Sequence, residues 1–118
     1  MVDDLTTKYA IEGGSTRSEK ALAYHLIPGA GLRRIASRFG LGAEIHGEGN
    51  WQKSIHESEP SARAFCQEAY NHMIEHAFKV ANRHGDEDDH LGAIGWAVCA
   101  ISYAEAVHGK GWTEMRRS

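Results

Sequence analysis

The segment from Leu91 to His108 constrains the fold more than any other part of the chain. Its sequence, LGAIGWAVCAISYAEAVH, is apolar nearly all round and crowded with Gly and Ala. A helix of this composition is surrounded by other elements, and its small side chains let neighbouring backbones approach closely. The sequence therefore predicts a central helix in an all-α fold. No internal repeat and no strand pattern accompanies it.

Two further helices are predicted upstream. The first runs from about Gly29 to Phe39 and resumes towards Ile45, because Pro28 suits a helix start and apolar residues follow at helical spacing. The second runs from about Ser61 to Arg83, with one apolar and one polar stripe. Ser58 or Ser61, around Pro60, is expected to cap its start. The intervening loop, residues 46–60, is long for a compact helical domain, and loops of this size are functional or disordered.

Length and charge narrow the class of protein. The 118 residues suit one domain at 20–108, between a flexible arm at 1–19 and a basic tail at 109–118. A net charge of −3 makes nucleic acid an unlikely partner. The sequence shows no signal peptide and no uninterrupted membrane span, so a cytoplasmic protein is expected. Cys66 and Cys99 are interpreted as buried free thiols rather than a disulfide.

The richest group of potential ligands lies between the second and third helices, from Asn71 to His90. It contains four histidines, two glutamates and three aspartates. Gly85 is expected to cap the second helix, and the third is expected to open at Asp86. The two helices then form an antiparallel hairpin in which His76 faces residues 93–95.

This hairpin predicts a site for a divalent cation and a phosphate. His72 and Glu75 lie one turn apart on one face, and Asp86, Asp89 and His90 lie on the facing helix. Carboxylates and imidazoles held together serve metal binding and acid–base chemistry. The alternative is that the acidic residues are solvated charges at a helix start and that the histidines, His84 in particular, are structural.

The chain also resembles a known family. The similarity lies in KALAYHLIP (20–28), GAEIHGEGNWQKSI (42–55), NHMIEH (71–76) and the stretch from Asp86 to Leu91. These elements resemble the phage dATP/dGTP diphosphohydrolase N-terminal family, a branch of the MazG-like all-α nucleotide pyrophosphohydrolases. The resemblance covers about residues 20–108. It implies a MazG-like helical bundle built on the hairpin, with the long irregular loop before it.

The resemblance further implies an activity and an assembly. The family hydrolyses purine (deoxy)nucleoside triphosphates to monophosphate and pyrophosphate, which edits the nucleotide pool in the host cytoplasm during phage infection. A homodimer or higher homo-oligomer is expected. In MazG-like enzymes two acidic motifs hold Mg²⁺ or Mn²⁺. Laid over this chain, they fall on Asn71-His72-x-x-Glu75 and His90-x-x-Ala93. Only Glu75 keeps the carboxylate, and imidazoles suit Mn²⁺ better than Mg²⁺.

The residues and the resemblance together give a candidate site. The predicted metal ligands are His72, Glu75, Asp89 and His90, and the predicted catalytic residues are Glu75 and Asp86. The predicted substrate-binding residues are Asn50, Trp51, Lys53 and Lys79. Two alternatives stay open: a non-catalytic nucleotide- or protein-binding module on the same scaffold, and a structural protein without a ligand. Trp51 could equally pack in the core.

Overall fold

The chain folds as a bundle of α-helices, which confirms the all-α prediction. The computed structural model describes residues 9–10, 16–17, 22–83 and 85–113. The four helices are α1 (Gly29–His46), α2 (Lys53–Glu57), α3 (Glu59–Ala81) and α4 (His90–His108). Single 3-10 turns cover Tyr24–Leu26 and Asn50–Gln52. Within the predicted arm, two-residue strands β1 (Tyr9–Ala10) and β2 (Thr16–Arg17) pair antiparallel.

Helix α4 is the central helix, as its composition predicts. It packs against α1, α2 and α3. Small residues make up most of its eight buried residues: Gly92, Ala93, Ala97, Ala100 and Ala104. A Cβ atom at Gly95 would lie 2.5 Å from Cγ1 of Ile35, so α1 approaches α4 at a point where a side chain is missing. Close helix packing here follows directly from the Gly and Ala content of the sequence.

Length and hydropathy also give α4 the properties of a membrane-spanning helix. Its most apolar 18-residue window has a mean hydropathy of 1.2. Of that window, 44% is buried inside the bundle. The core helix of a soluble protein has the same length and composition, so these properties do not distinguish the two settings.

Helices α3 and α4 are antiparallel. Near one end, Nδ1 of His76 lies 2.8 Å from Nδ1 of His90. Near the other end, Nζ of Lys110, just beyond α4, lies 3.7 Å from Oε2 of Glu59, the first residue of α3. His76 therefore meets His90 instead of residues 93–95, a difference of about one helical turn from the predicted pairing.

The connection between α3 and α4 differs from the predicted tight turn. Helix α3 ends at Ala81, with Asn82 as its C-cap, and the left-handed residue that follows is Arg83 (φ 53°). Because Asn82 is the C-cap, the predicted role of Gly85 as the cap is wrong. Helix α4 begins at His90 because the Asp89 carboxylate accepts the backbone N–H of Gly92 at 3.1 Å and caps the helix there.

The predicted long loop is partly helical. Gly47 and Gly49 adopt positive φ values of 97° and 74°, which turn the chain out of α1 and into the 3-10 turn and α2. Ile55 of α2 is fully buried. Ser58 then caps α3 by accepting the backbone N–H of Ser61, which confirms one of the two caps expected around Pro60.

The two cysteines differ in burial. Cys66 is buried and free as predicted, but Cys99 is free and exposed because it lies on the outer side of α4.

The start of the tail packs against the bundle. Trp112 packs against the core, and the Glu105 carboxylate accepts the backbone N–H and hydroxyl of Thr113 at 2.6 and 2.7 Å. The tail is therefore docked as far as Thr113. The interpretation of His84 lies outside the described residues.

Candidate metal centre and adjoining cleft

Three ligand-type side chains converge where α3, α4 and their connection meet. His76 comes from the last turns of α3, Asp88 from the connection, and His90 from the first position of α4. One ligand atom from each lies within 4.8 Å of the other two. We call these three residues the metal cluster. The cluster could hold a metal ion.

The two imidazoles have a geometry that suits adjacent ligand positions. Their Nδ1 atoms are 2.8 Å apart. This is the distance of a hydrogen bond between the two rings. Two nitrogens bound at about 2.1 Å to one ion lie about 3.0 Å apart in an octahedral site and about 3.4 Å apart in a tetrahedral one, so the spacing is close to the octahedral value. The Asp88 Oδ2 atom lies 3.9 Å from Nδ1 of His90, so a modest side-chain rotation would bring it to the same ion.

A carboxylate behind the cluster orients one of its imidazoles. Nε2 of His90 lies 2.8 Å from Oδ1 of Asp86. An Nε2–H that donates to this carboxylate leaves the lone pair on Nδ1, facing His76. Carboxylate–histidine pairs of this kind fix the tautomer and raise the basicity of a metal ligand.

Burial and neighbouring charges favour the metal-binding protonation states of His76 and Asp88. Desolvation is the largest cause that lowers the pKa of His76, helped by Arg38, His90 and Lys79 and opposed by Asp88. The hydrogen bond from Arg38 is the largest cause that lowers the pKa of Asp88. A neutral imidazole and an ionised carboxylate are the forms that bind metals.

Two arginines of α1 hold the acidic connection. Arg38 donates from Nη1 to Oδ1 of Asp88 at 2.5 Å, and Nε of Arg34 lies 2.9 Å from Oδ1 of Asp89 in an ion pair. The arginines are four residues apart, so they lie on the same face of α1. This pair of contacts fastens the Asp88–Asp89 segment to α1 and fixes where α4 begins.

A cleft of about 310 Å³ adjoins the metal cluster. Its apolar wall includes the side chains Phe39, Leu41, Ile45, Trp51, Met73 and Trp96. Its polar wall is made of Arg38, His46, Asn50, His72 and His76. His76 belongs to both the cleft and the cluster, and Arg38 binds Asp88 of the cluster. A ligand in the cleft would therefore lie beside a metal in the cluster.

The predicted metal ligands occupy different places. His90 is in the cluster, and Asp89 caps α4 and pairs with Arg34. His72 lines the cleft. Glu75 lies 3.8 Å from Lys79, and 61% of its side chain is exposed. Of the predicted set, only His90 is shared with the metal cluster, while the predicted catalytic residue Asp86 contacts the cluster through His90.

Only some of the predicted substrate-binding residues lie at the cleft. Asn50 and Trp51 line the cleft, whereas Lys53 and Lys79 are not among the described residues of its wall. Trp51 serves the core as well, since its ring centroid lies 5.4–6.3 Å from those of four other aromatic residues. They are Phe39, Phe65, Trp96 and Tyr103. Trp51 therefore combines the two alternative roles that its sequence position suggested, core packing and cleft wall.

The sequence patterns do not single out three residues of the candidate site: Arg38, His76 and Asp88. The predicted hairpin pairs His76 with residues 93–95, which is the wrong part of α4. His76 and His90 are 14 residues apart, and this spacing predicts a contact only if α4 is known to begin at His90. Asp88 stands among four consecutive acidic residues, and nothing in the sequence distinguishes it from its neighbours.

Comparison of this chain with protein-family models, with curated proteins and with solved structures found no match.

Proposed function

We propose that this protein is a metal-dependent hydrolase that converts purine (deoxy)nucleoside triphosphates to monophosphate and pyrophosphate. The observation that carries the proposal is the shared position of His76, which lies in the metal cluster and on the wall of the cleft. A metal and an organic ligand would meet at this residue. Metal-dependent phosphoryl chemistry requires that arrangement.

The cluster favours a transition metal. Two imidazoles and one carboxylate suit Mn²⁺ or a later first-row ion, whereas Mg²⁺ prefers oxygen ligands. Such an ion would lower the pKa of a bound water and offset the charge that develops on the leaving pyrophosphate. Asp86 would hold His90 in the correct tautomer throughout.

The cleft favours a ligand with a flat apolar part and an anionic part. Phe39, Trp51 and Trp96 offer aromatic surface to a base, and Asn50 offers an amide that can hydrogen-bond a base edge. The volume of about 310 Å³ is at the lower end of the range for small-molecule sites. These features support a nucleotide, and the family resemblance supports a purine triphosphate.

One observation favours the alternative of nucleotide binding without turnover. The cluster contains a single carboxylate, Asp88, and Arg38 already engages it. The resemblance implies several carboxylates around the metal, and Glu75 points instead towards Lys79. A site with so little negative charge binds a metal less strongly and holds one ion rather than two.

The biological setting is proposed from the resemblance alone: nucleotide-pool editing in the host cytoplasm during phage infection, by a homodimer or larger assembly. Exposed apolar residues on α3 support self-association. Tyr70, Ile74 and Phe78 recur every four residues and are 43%, 50% and 68% exposed. They form one stripe. Sedimentation analysis of the wild type and of Phe78→Ser tests this, since a monomeric wild type would contradict it.

The activity is tested by pyrophosphate release from each purine nucleoside triphosphate with Mn²⁺ or Mg²⁺. The wild type should turn over with Mn²⁺, and His76→Ala should abolish turnover. Glu75→Gln separates the two site assignments, because the sequence-based set predicts loss of activity and the metal cluster predicts little change. Nucleotide-dependent thermal stabilisation without turnover under any metal would establish the binding module instead.

A further inference from the structure

The polar wall of the cleft is made of basic and amide side chains. Its side chains are one arginine, three histidines and one asparagine: Arg38, His46, His72, His76 and Asn50. Among the described residues that line the cleft, no side chain carries a carboxylate. This contrasts with the whole chain, whose net charge is −3. A wall of hydrogen-bonding side chains with one permanent positive charge, Arg38, and no carboxylate is complementary to an anion.

Arg38 is the permanent charge of that wall. A guanidinium stays protonated and presents five N–H donors in a planar fork, which matches phosphate oxygens. Its side chain is 24% exposed, less than half the value for Arg34 one turn away. Partial burial strengthens a charge-assisted hydrogen bond compared with one in open solvent.

The same guanidinium contacts the metal cluster. Nη1 of Arg38 donates a hydrogen bond to Oδ1 of Asp88, and Oδ2 of the same carboxylate lies 3.9 Å from Nδ1 of His90. In the metal-free protein the carboxylate therefore offsets much of the positive charge of the arginine. A metal bound to Asp88 would withdraw electron density from the carboxylate and weaken its hold on Arg38.

We propose that Arg38 binds the phosphate group of the cleft ligand, and that Asp88 competes with this phosphate for the guanidinium until a metal binds the carboxylate. The proposal deepens the proposed function and rests on it for the metal step. Anion binding at Arg38 itself does not need the metal. The metal and the ligand would therefore bind in order, because metal binding raises the affinity of the cleft for phosphate.

Calorimetric titration of metal-free protein with inorganic pyrophosphate tests the anion site. Arg38→Gln should weaken binding by about tenfold, the size of a charge-assisted bidentate contact. Arg38→Lys should lie between this variant and the wild type, because it keeps the charge and loses the fork. Arg34→Gln is the matched control, since it breaks an equivalent ion pair outside the cleft and should leave pyrophosphate binding unchanged.

Asp88→Asn tests the competition. In metal-free protein it should strengthen pyrophosphate binding by about three- to tenfold, because Arg38 loses its competing carboxylate. In a separate titration with Mn²⁺ alone the same variant should bind the metal more weakly than the wild type. Circular dichroism confirms that each variant is folded, and Arg38→Lys and Asp88→Asn still decide the matter if Arg38→Gln does not fold.

Two results would overturn the proposal. One is equal pyrophosphate affinity in the Arg38 variants and Arg34→Gln, and the other is an Asp88→Asn variant that binds pyrophosphate no better than the wild type. A protein that binds no metal would contradict the proposed function, and the metal-free titrations would still decide the role of Arg38.

Discussion

Replacing Gly95 with Ala tests the packing that positions α1, and with it Arg38 and Phe39, over the candidate site. The added Cβ would lie 2.5 Å from Cγ1 and 2.8 Å from Cδ1 of Ile35. Ordinary contacts between such carbons are about 3.5–4.0 Å, so a shift of about 1 Å is needed. Ile35 is β-branched and stiff at χ1, which limits the side-chain response.

The expected magnitude follows from two opposing effects. Ala in place of Gly inside a helix stabilises by about 1 kcal/mol. Overpacking a tight contact costs about 1–3 kcal/mol, so Gly95→Ala should lower the free energy of unfolding by about 1 kcal/mol. Gly40→Ala is the matched control, because a Cβ there meets nothing within 4 Å and the variant should instead gain up to about 1 kcal/mol.

A double-mutant cycle with Ile35→Ala isolates the contact. This substitution removes both close atoms and leaves Cβ of residue 35, which lies 3.8 Å from the new methyl. In that background Gly95→Ala should stabilise, which gives a coupling of about 2 kcal/mol. Urea unfolding followed by circular dichroism measures all four proteins. A coupling below about 0.5 kcal/mol would refute the close approach of α1 and α4, since distant sites add within that margin.

Three further predictions concern the thiols, the ion pair and the helix cap. Burial, followed by the nearby Glu105 carboxylate, raises the pKa of Cys66. At pH 8 iodoacetamide should therefore label the exposed Cys99 first, and mass spectrometry would contradict this if Cys66 reacted equally fast. The pKa of Asp88 is lowered mainly by its hydrogen bond with Arg38, so its stabilising contribution is present above the ordinary value of 3.8 and is lost as the pH falls through the lower folded value. The difference in unfolding free energy between wild type and Asp88→Asn should shrink over that window, and a constant difference would contradict it. Ser58→Ala should cost about 1 kcal/mol and Ser58→Gly only a few tenths, by thermal unfolding, because the hydroxyl caps α3; equal losses would argue against the cap.

Local patterns predicted the helices well. The Gly- and Ala-rich composition of residues 91–108 identified the central helix, because small side chains mark the face on which neighbouring backbones approach closely. Burial on all sides was not found, since Val98 and Cys99 lie exposed on its outer face. The periodicity of α3 and the cap near Pro60 were likewise readable, since both depend on residues within a few turns. The fold class follows from these local signals.

The site depended on information that is not local. Asp86, Asp88 and Asp89 are chemically similar, and the arginines of α1 decide which carboxylate faces the cluster and which caps α4. The pairing of His76 with His90 depends on the path of the connection, and a turn at Gly85 would instead pair His76 with residues 93–95. The sequence spacing therefore predicts the region of the candidate site and, of the three residues of the metal cluster, names only His90 as a ligand.

Titration with Mn²⁺ or Zn²⁺ tests whether His76, Asp88 and His90 bind a metal ion. Calorimetry should be run on the wild type, His76→Ala, His90→Ala and His72→Ala. One ion should bind to the wild type and to His72→Ala, and binding should be lost in the other two variants. Unchanged binding in His76→Ala together with loss of binding in His72→Ala would show that the metal cluster is not the site and would favour the ligands predicted from the sequence.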